Sequence, residues 1–290
     1  MPKRKKRQHG FKSLSKIFEE TGPTVPESIG TGLANVDRHI LGLSPGHLVV
    51  IGSRPDVGKT SLALAVAEHA SIRQGRAVGF FSLEETAGAV ASRVLAAESE
   101  VPLQAVVSGH LTPAQRAAVA ETRARLTSVP LFIDAPRRFE IDQLVSTSTR
   151  AWEIGQLDLL IVDYVQLLRD YSRAYEHRIA EVDAIVRRLK HLARDLEIPV
   201  VAVSQVASRE RMEAPRVNDL ENANPLLEHA DLILLVHRKH ARSVDALETD
   251  GLAEIIVAKN RTGPPQASFQ VAFLPQLAAF RNLVELRETE

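Results

Sequence analysis

Nine residues, GSRPDVGKT from Gly52 to Thr60, place two glycines, a lysine and a threonine in the order that a phosphate-binding loop needs. The pattern G-x-x-x-x-G-K-[ST] is met at Gly58, Lys59 and Thr60; Ser53 holds its first glycine position, and the glycine stands one residue earlier, at Gly52. The cradle comprises Gly52, Ser53, Arg54, Pro55, Asp56, Val57, Gly58, Lys59, Thr60 and Ser61. Backbone N–H groups and a helix N-terminus bind an anion there. Gly58 lets the backbone approach closely, Lys59 reaches the β and γ phosphates, and the Thr60 hydroxyl ligates Mg²⁺. The chemistry indicated is hydrolysis of a nucleoside triphosphate at its γ-phosphate.

Three further polar groups close apolar runs. LDLLIVD (157–163) ends in Asp163. A carboxylate at the carboxyl end of a buried parallel strand faces the ligand crevice and would hold Mg²⁺ through water; the plain alternative is a capping or solvated aspartate. FSLEET (81–86) ends a strand with Glu84 and Glu85. Ser82 and Glu85 fit a capping box, which leaves Glu84 to orient and deprotonate the water that attacks the γ-phosphate. PVVAVSQ (199–205) ends in Ser204-Gln205, and Gln205 can bond the γ-phosphate or the water at one end and the following loop at the other. Finally, VAKNRTGPPQ (257–266) ends a strand at Lys259 and Arg261. Such a pair faces either solvent or a phosphate, and spacing alone leaves both open.

These groups need a scaffold that lines up strand ends. LVVIGS (48–53), AVGFFSLE (77–84), PLFID (130–134), LDLLIVD and PVVAVSQ are continuous apolar runs separated by helical patterns. That predicts an α/β fold, a mostly parallel twisted sheet with helices on both faces. DLILLVHR (231–238), AEIIVAKN (253–260) and SFQVAFL (268–274) follow, and the last strands, joined by short loops, predict an antiparallel C-terminal extension. Ile179, Val182, Val186, Leu189, Ala193 and Leu196 form one stripe of a long helix. Residues 1–10, MPKRKKRQHG, are a basic tail predicted to be disordered. Residues 11–29 hold a short helix with Phe11, Leu14, Ile17 and Phe18 on one face, then a linker with two prolines. Residues 30–284 form the main domain.

Composition narrows the class. With 290 residues, 44% hydrophobic, the chain can bury one large core. Lys+Arg and Asp+Glu balance at 36 each, so any nucleic-acid contact must be a local patch. There is no cysteine, hence no disulfide and no thiolate metal site. No apolar run approaches a membrane span, and the basic N-terminus lacks the apolar stretch of a secretory signal; the localisation expected is cytoplasmic.

The blocks TGLANVD…GLSPGHLVVIGSRPDVGKT, FFSLEE, LLIVDYVQLL, IPVVAVSQ, ADLILLVHR and AEIIVAKNRTGP, in this order, resemble the motor domain of the DnaB-type replicative DNA helicases, within the RecA-like P-loop ATPases. The resemblance covers roughly residues 28–283 and includes the variant cradle G-x-R-P-x-x-G-K-T. It implies a hexameric ring, ATP and Mg²⁺ between subunits, and single-stranded DNA in a central channel, with 5′ to 3′ translocation and a loader or other replication proteins as partners. It implies that Lys259 and Arg261 act on the neighbour's ATP, and that the helix at 11–20 is a linker helix packing on the adjacent subunit. The sequence departs from the family in two places. Fewer than 30 residues precede the motor, so the helical collar that contacts primase is not expected. After Asp219-Leu220 the sequence reads ENANP, putting Glu221 where a phosphate-facing arginine is expected and Asn224 in place of a glycine; Arg209, Arg211 and Arg216 are the nearby cations. Two other readings share the cradle: a RecA-like recombinase filament, and a nucleotide-switched loader or regulator.

Overall fold

The computed structural model describes residues 11–21, 28–207, 213–238, 251–264 and 266–283. The basic tail, the proline linker, Arg209 and Arg211 lie outside these residues. In chain order the first elements are α1 (Leu14–Thr21), α2 (Ala34–Ile40), β1 (Leu48–Ser53), α3 (Lys59–Glu68), β2 (Val78–Ser82), α4 (Ala87–Ser99), α5 (Leu103–Ser108), α6 (Pro113–Leu126) and β3 (Leu131–Asp134). They are followed by α7 (Ile141–Glu153), β4 (Leu159–Asp163), α8 (Arg178–Leu196), β5 (Val200–Gln205), α9 (Ala223–His229), β6 (Leu232–His237), β7 (Leu252–Asn260), β8 (Ala267–Leu274) and β9 (Ala279–Arg281).

The strands form one nine-stranded sheet in the order β3-β2-β4-β5-β1-β6-β7-β8-β9. Side chains alternate across a strand, so a continuous apolar run feeds two cores at once. Val49 and Ile51 of β1 join Leu62 and Val66 of α3 and Val90 and Val94 of α4 on one face. Leu48 and Val50 join Leu144 of α7 and Val182, Ile185, Val186 and Leu189 of α8 on the other. Both faces are therefore covered, as the apolar runs require.

The structure corrects several expectations. The parallel part includes β6, which pairs in parallel with β1 (Val49 with Leu232, Ser53 with Val236); the antiparallel extension is β7, β8 and the short β9. Ile179 is 58% exposed. In that first turn of α8, Arg178 donates to the carbonyls of Gln166 and Leu168 instead, so the buried stripe starts at Val182. Strand β2 stops at Ser82, so Glu84 is not its last residue. The left-handed residue in ENANP is Asn222, at φ +57°, whereas Asn224 is helical in α9.

Candidate active site

All six parallel strands deliver their carboxyl ends to one edge of the sheet, and register fixes which groups meet there. Ser53 is level with Gln205, and Ser82 with Asp163. Between β1 and α3 the chain must turn sharply enough to aim a helix N-terminus at the edge. Gly58 makes that turn at φ +114° as the residue before α3. A side chain there would be strained, and its Cβ would lie 3.2 Å from the ring of Phe280 and 3.3 Å from that of Phe273. Those rings pack tilted, with centroids 4.9 Å apart, and the Arg238 guanidinium stacks 4.0 Å above Phe273. The antiparallel extension thus buttresses the phosphate loop from below. Gly58→Ala is expected to cost about 1–3 kcal/mol through backbone strain. Thermal melts should show a lower midpoint and a reduced upward shift on adding ATP.

Not every residue of the loop faces the crevice. Ser53 is fully buried and its hydroxyl donates to the Arg54 carbonyl at 2.8 Å. Arg54 donates through NH1 to the Glu213 carbonyl at 2.8 Å. It braces the segment after β5 instead of extending into the cradle. Gly52 leaves room for Leu220, whose Cδ2 would lie 2.5 Å from a Cβ.

Asp163 lies beneath the cradle and is 2% exposed. Its Oδ1 is buried with no hydrogen-bond partner. Burial pushes its carboxyl up to about 6, against the opposing pull of Thr60 and Lys59. A carboxylate oxygen left unpaired in the interior costs free energy that a cation would recover. Together with the Thr60 hydroxyl it makes an oxygen donor set of the kind Mg²⁺ takes with phosphates and water. Lys59 extends across the cradle, its Nζ 3.3 Å from Glu84 Oε2 and 5.3 Å from the Tyr164 ring centroid. Glu84 stands in the bend beyond β2, and its side chain is half exposed. The capping box assigned to Glu85 does not form. Ser82 Oγ accepts from the Glu85 N–H at 3.3 Å and donates to its carbonyl at 2.7 Å, while Thr86 is the residue that caps α4. The Glu85 carboxylate is held instead by both arms of Arg93, at 2.7 and 2.9 Å. Glu84 and Glu85 are thereby separated: one pairs with Lys59 and the other with Arg93.

Gln205 ends β5 level with Ser53, and its carbonyl accepts from the Glu221 N–H at 2.9 Å. Gln166 bonds both Ser204 Oγ (2.7 Å) and the Glu221 carbonyl (3.2 Å). The ENANP segment is therefore tied to the strand end beside the cradle.

Lys259 and Arg261 are elsewhere. Strand β7 runs antiparallel to β6, so Asn260 is level with Leu232, and Leu232 with Val49. The pair stands at the amino ends of the parallel strands, and Ser53 lies at the far end of β1. At about 3.3 Å per residue that separation is roughly 13–17 Å. Lys59 and Arg261 thus occupy opposite edges of one sheet. Lys259 Nζ donates to the Leu227 carbonyl at 2.5 Å, and burial, helped by Arg261 and Lys190, holds its ammonium below the usual lysine value. Arg261 NH1 donates to Asp231 Oδ1 at 3.0 Å while the side chain stays 53% exposed. Sequence reasoning missed Asp231. Its signal was a carboxylate immediately before the apolar run LILLV.

A family model described as the DnaB-like helicase C-terminal domain matches residues 28–282. A replicative DNA helicase DnaB of Leifsonia xyli subsp. xyli is 33% identical over 261 residues, covering 89% of this chain and 56% of the relative. The corresponding protein of Pasteurella multocida is 34% identical, covering 95% of this chain and 59% of its own length. A probable plasmid replicative DNA helicase of Chlamydia psittaci is 33% identical, covering 82% and 52%. The chain thus spans a little over half the length of these relatives. A solved structure described as an ATPase domain superposes with a TM-score of 0.83 at 24% identity, covering 93% of this chain and 97% of that one. A DnaB-like replicative helicase, described with its interactions with primase, matches with the same score and identity over 66% of its chain. Both are likenesses of fold and fix the sheet as RecA-like. No helix among the described residues is long and apolar enough to cross a membrane.

Proposed function

Because the chain belongs to the DnaB-like helicase C-terminal domain family, we propose that it is the ATP-hydrolysing motor of a ring-forming helicase that moves 5′ to 3′ along single-stranded DNA. The observation that carries this reading is the split of the chemical groups between two sheet edges. The cradle with Lys59, Thr60, Asp163, Glu84 and Gln205 occupies one, and Lys259 and Arg261 the other. One chain cannot close both on a single nucleotide, whereas a head-to-tail interface repeated around a ring can.

In each shared site, the backbone N–H groups of Gly58, Lys59 and Thr60 at the α3 N-terminus hold the β and γ phosphates, with the Lys59 ammonium on their oxygens. Thr60 and Asp163 are the residues that would hold Mg²⁺, which would supply positive charge against the phosphates. Glu84 takes a proton from the water whose oxygen attacks the γ-phosphorus, and the bond from that phosphorus to the β–γ bridging oxygen breaks. Lys259 and Arg261 of the adjoining subunit stabilise the charge that develops on the transferring group. Gln205 contacts the γ-phosphate or the water, and its backbone link to Glu221 relays the change to the DNA-facing segment. The exposed apolar face of α1, with Leu14, Ile17 and Phe18, covers itself on a neighbouring subunit.

A shared site makes assembly a condition of turnover. ATPase activity per chain is expected to rise with protein concentration until assembly saturates, and to rise again with single-stranded DNA. Full activity in a chain shown by sedimentation to be monomeric would sink the proposal. Full assembly dependence without any effect of DNA would favour the nucleotide-switched regulator, which Glu221 in place of a cation supports.

A further inference from the structure

Beneath the exposed guanidinium of Arg261 lies a carboxylate that the hydrolytic chemistry does not use. Asp231 precedes β6 and its side chain is 3% exposed. Its Oδ2 accepts from the Leu48 N–H at 2.8 Å and from Lys190 Nζ at 2.5 Å; its Oδ1 accepts from Arg261 at 3.0 Å. The main chain repeats these ties. Arg261 N–H donates to the Asp231 carbonyl at 2.8 Å, and Asp231 N–H donates to the Leu48 carbonyl at 2.8 Å. The arginine is therefore fixed at two points to a residue that is fixed at two points to the first residue of β1.

Charge counting shows that Asp231 does more than fill a structural ion pair. Lys190, which also donates to the Gly46 carbonyl at 2.8 Å, already supplies one counter-charge. Burial alone would raise the Asp231 carboxyl, but hydrogen bonds from Lys190 and the Leu48 N–H outweigh it and hold the group below the usual value. Arg261 is a second cation on the same carboxylate. A guanidinium has five donors in a rigid fork. With NH1 on Asp231 and the side chain half exposed, the contact orients the fork without occupying it. An arginine held in its working rotamer loses less entropy when it meets a phosphate.

We propose that Asp231 is the positioning residue of the trans-acting pair: it holds the Arg261 guanidinium out from the sheet edge, poised for the neighbour's γ-phosphate. Through Leu48 it ties that pose to the strand whose other end carries the subunit's own cradle, and Lys190 keeps Asp231 anchored when Arg261 engages the phosphate. This inference rests on the trans-acting reading of Arg261, and the experiment keeps the two apart. Asp231→Asn is expected to lower kcat about a hundredfold, the effect of a small misplacement of a catalytic group, with KM for ATP unchanged. Asp231→Glu, which retains the charge but shifts it by one methylene, should show the same split with a smaller loss. Adding Asp231→Asn to Arg261→Ala should lower kcat no further. Asp231→Asn chains mixed with Lys59→Ala chains should regain activity severalfold above either alone, because the first contribute whole cradles and the second whole pairs. Near-wild-type kcat in both Asp231 variants would overturn the inference. So would a multiplicative loss in the double variant, or a mixture that stays inactive while Arg261→Ala with Lys59→Ala recovers. Wild-type turnover in Arg261→Ala would instead defeat the reading beneath it.

Discussion

Arg261→Ala is expected to lose about a thousandfold or more in ATP turnover, the range in which removal of a trans-acting arginine falls, while binding ATP with nearly unchanged affinity. The asymmetry follows from the sheet. The arginine stands at the amino end of β6, level with the start of β1, and its own cradle lies at the far end of that strand. It therefore contributes nothing to the nucleotide held by its own chain, and only the transition state in the adjoining site lacks a cation. Fluorescent-nucleotide titration and steady-state hydrolysis, read on the same preparation, separate the two quantities.

The fold should tolerate the change. The guanidinium is half exposed, and ion pairs so placed contribute little to stability. Asp231, which loses one partner, keeps Lys190 and the Leu48 N–H. A collapse in turnover with an unchanged melting point thus points to chemistry. If the variant hydrolysed ATP at the wild-type rate, the pair would be an ordinary strand-end contact and the case for a shared site would fall. Loss of ATP affinity in parallel with turnover would also count against it, because that would place Arg261 on its own chain's nucleotide.

Much of this arrangement was legible in the chain. Continuous apolar runs at 48–53, 157–163 and 199–205 announce strands buried on both faces, and a polar residue closing each run marks the edge where ligands bind. Local pattern therefore located Lys59, Thr60, Asp163 and Gln205 together. It failed where tertiary partners decide. Ser82 and Glu85 have capping-box spacing, but Arg93, eight residues on from Glu85, draws that carboxylate away and Thr86 takes the cap. Asn224 matches the position of a family glycine, but the turn falls at Asn222 because Ala223 and the residues after it are helical. Ile179 fits the helical stripe, yet its turn is held by Arg178 on the carbonyls of Gln166 and Leu168. That Lys259 and Arg261 lie at the opposite edge depends on the direction of β7, a fact of strand pairing that no local motif contains. The pairing of Asp231 was missed for the same reason: its position before an apolar run could be read, but its partners Leu48, Lys190 and Arg261 are each remote in sequence.

The separation of the two neighbouring glutamates leads to the other large effect. Glu84→Gln is expected to lower kcat by about 10²–10⁴, the range for loss of a general base, with ATP bound as tightly as before or more tightly. The Glu84 carboxylate accepts from Lys59 Nζ at 3.3 Å. The γ-phosphate must displace it, and the two anions then face each other across the attacking water. An amide keeps the shape but removes both the competition for Lys59 and the repulsion of phosphate, so the ground state gains while the proton acceptor is lost. Glu85 cannot take over the role, because Arg93 holds both of its oxygens. Glu85→Gln supplies the contrast: it loosens Arg93 at the start of α4 and should lower the melting point while leaving the chemical step within a few-fold. Single-turnover hydrolysis separates chemistry from product release and decides the matter. A Glu84→Gln chain that cleaves ATP at the normal rate, or a Glu85→Gln chain that does not cleave it at all, would assign the base to the wrong glutamate. In the latter case the Arg93 pair would have to be a resting-state contact that opens when ATP binds, instead of the structural tie that its two short hydrogen bonds describe.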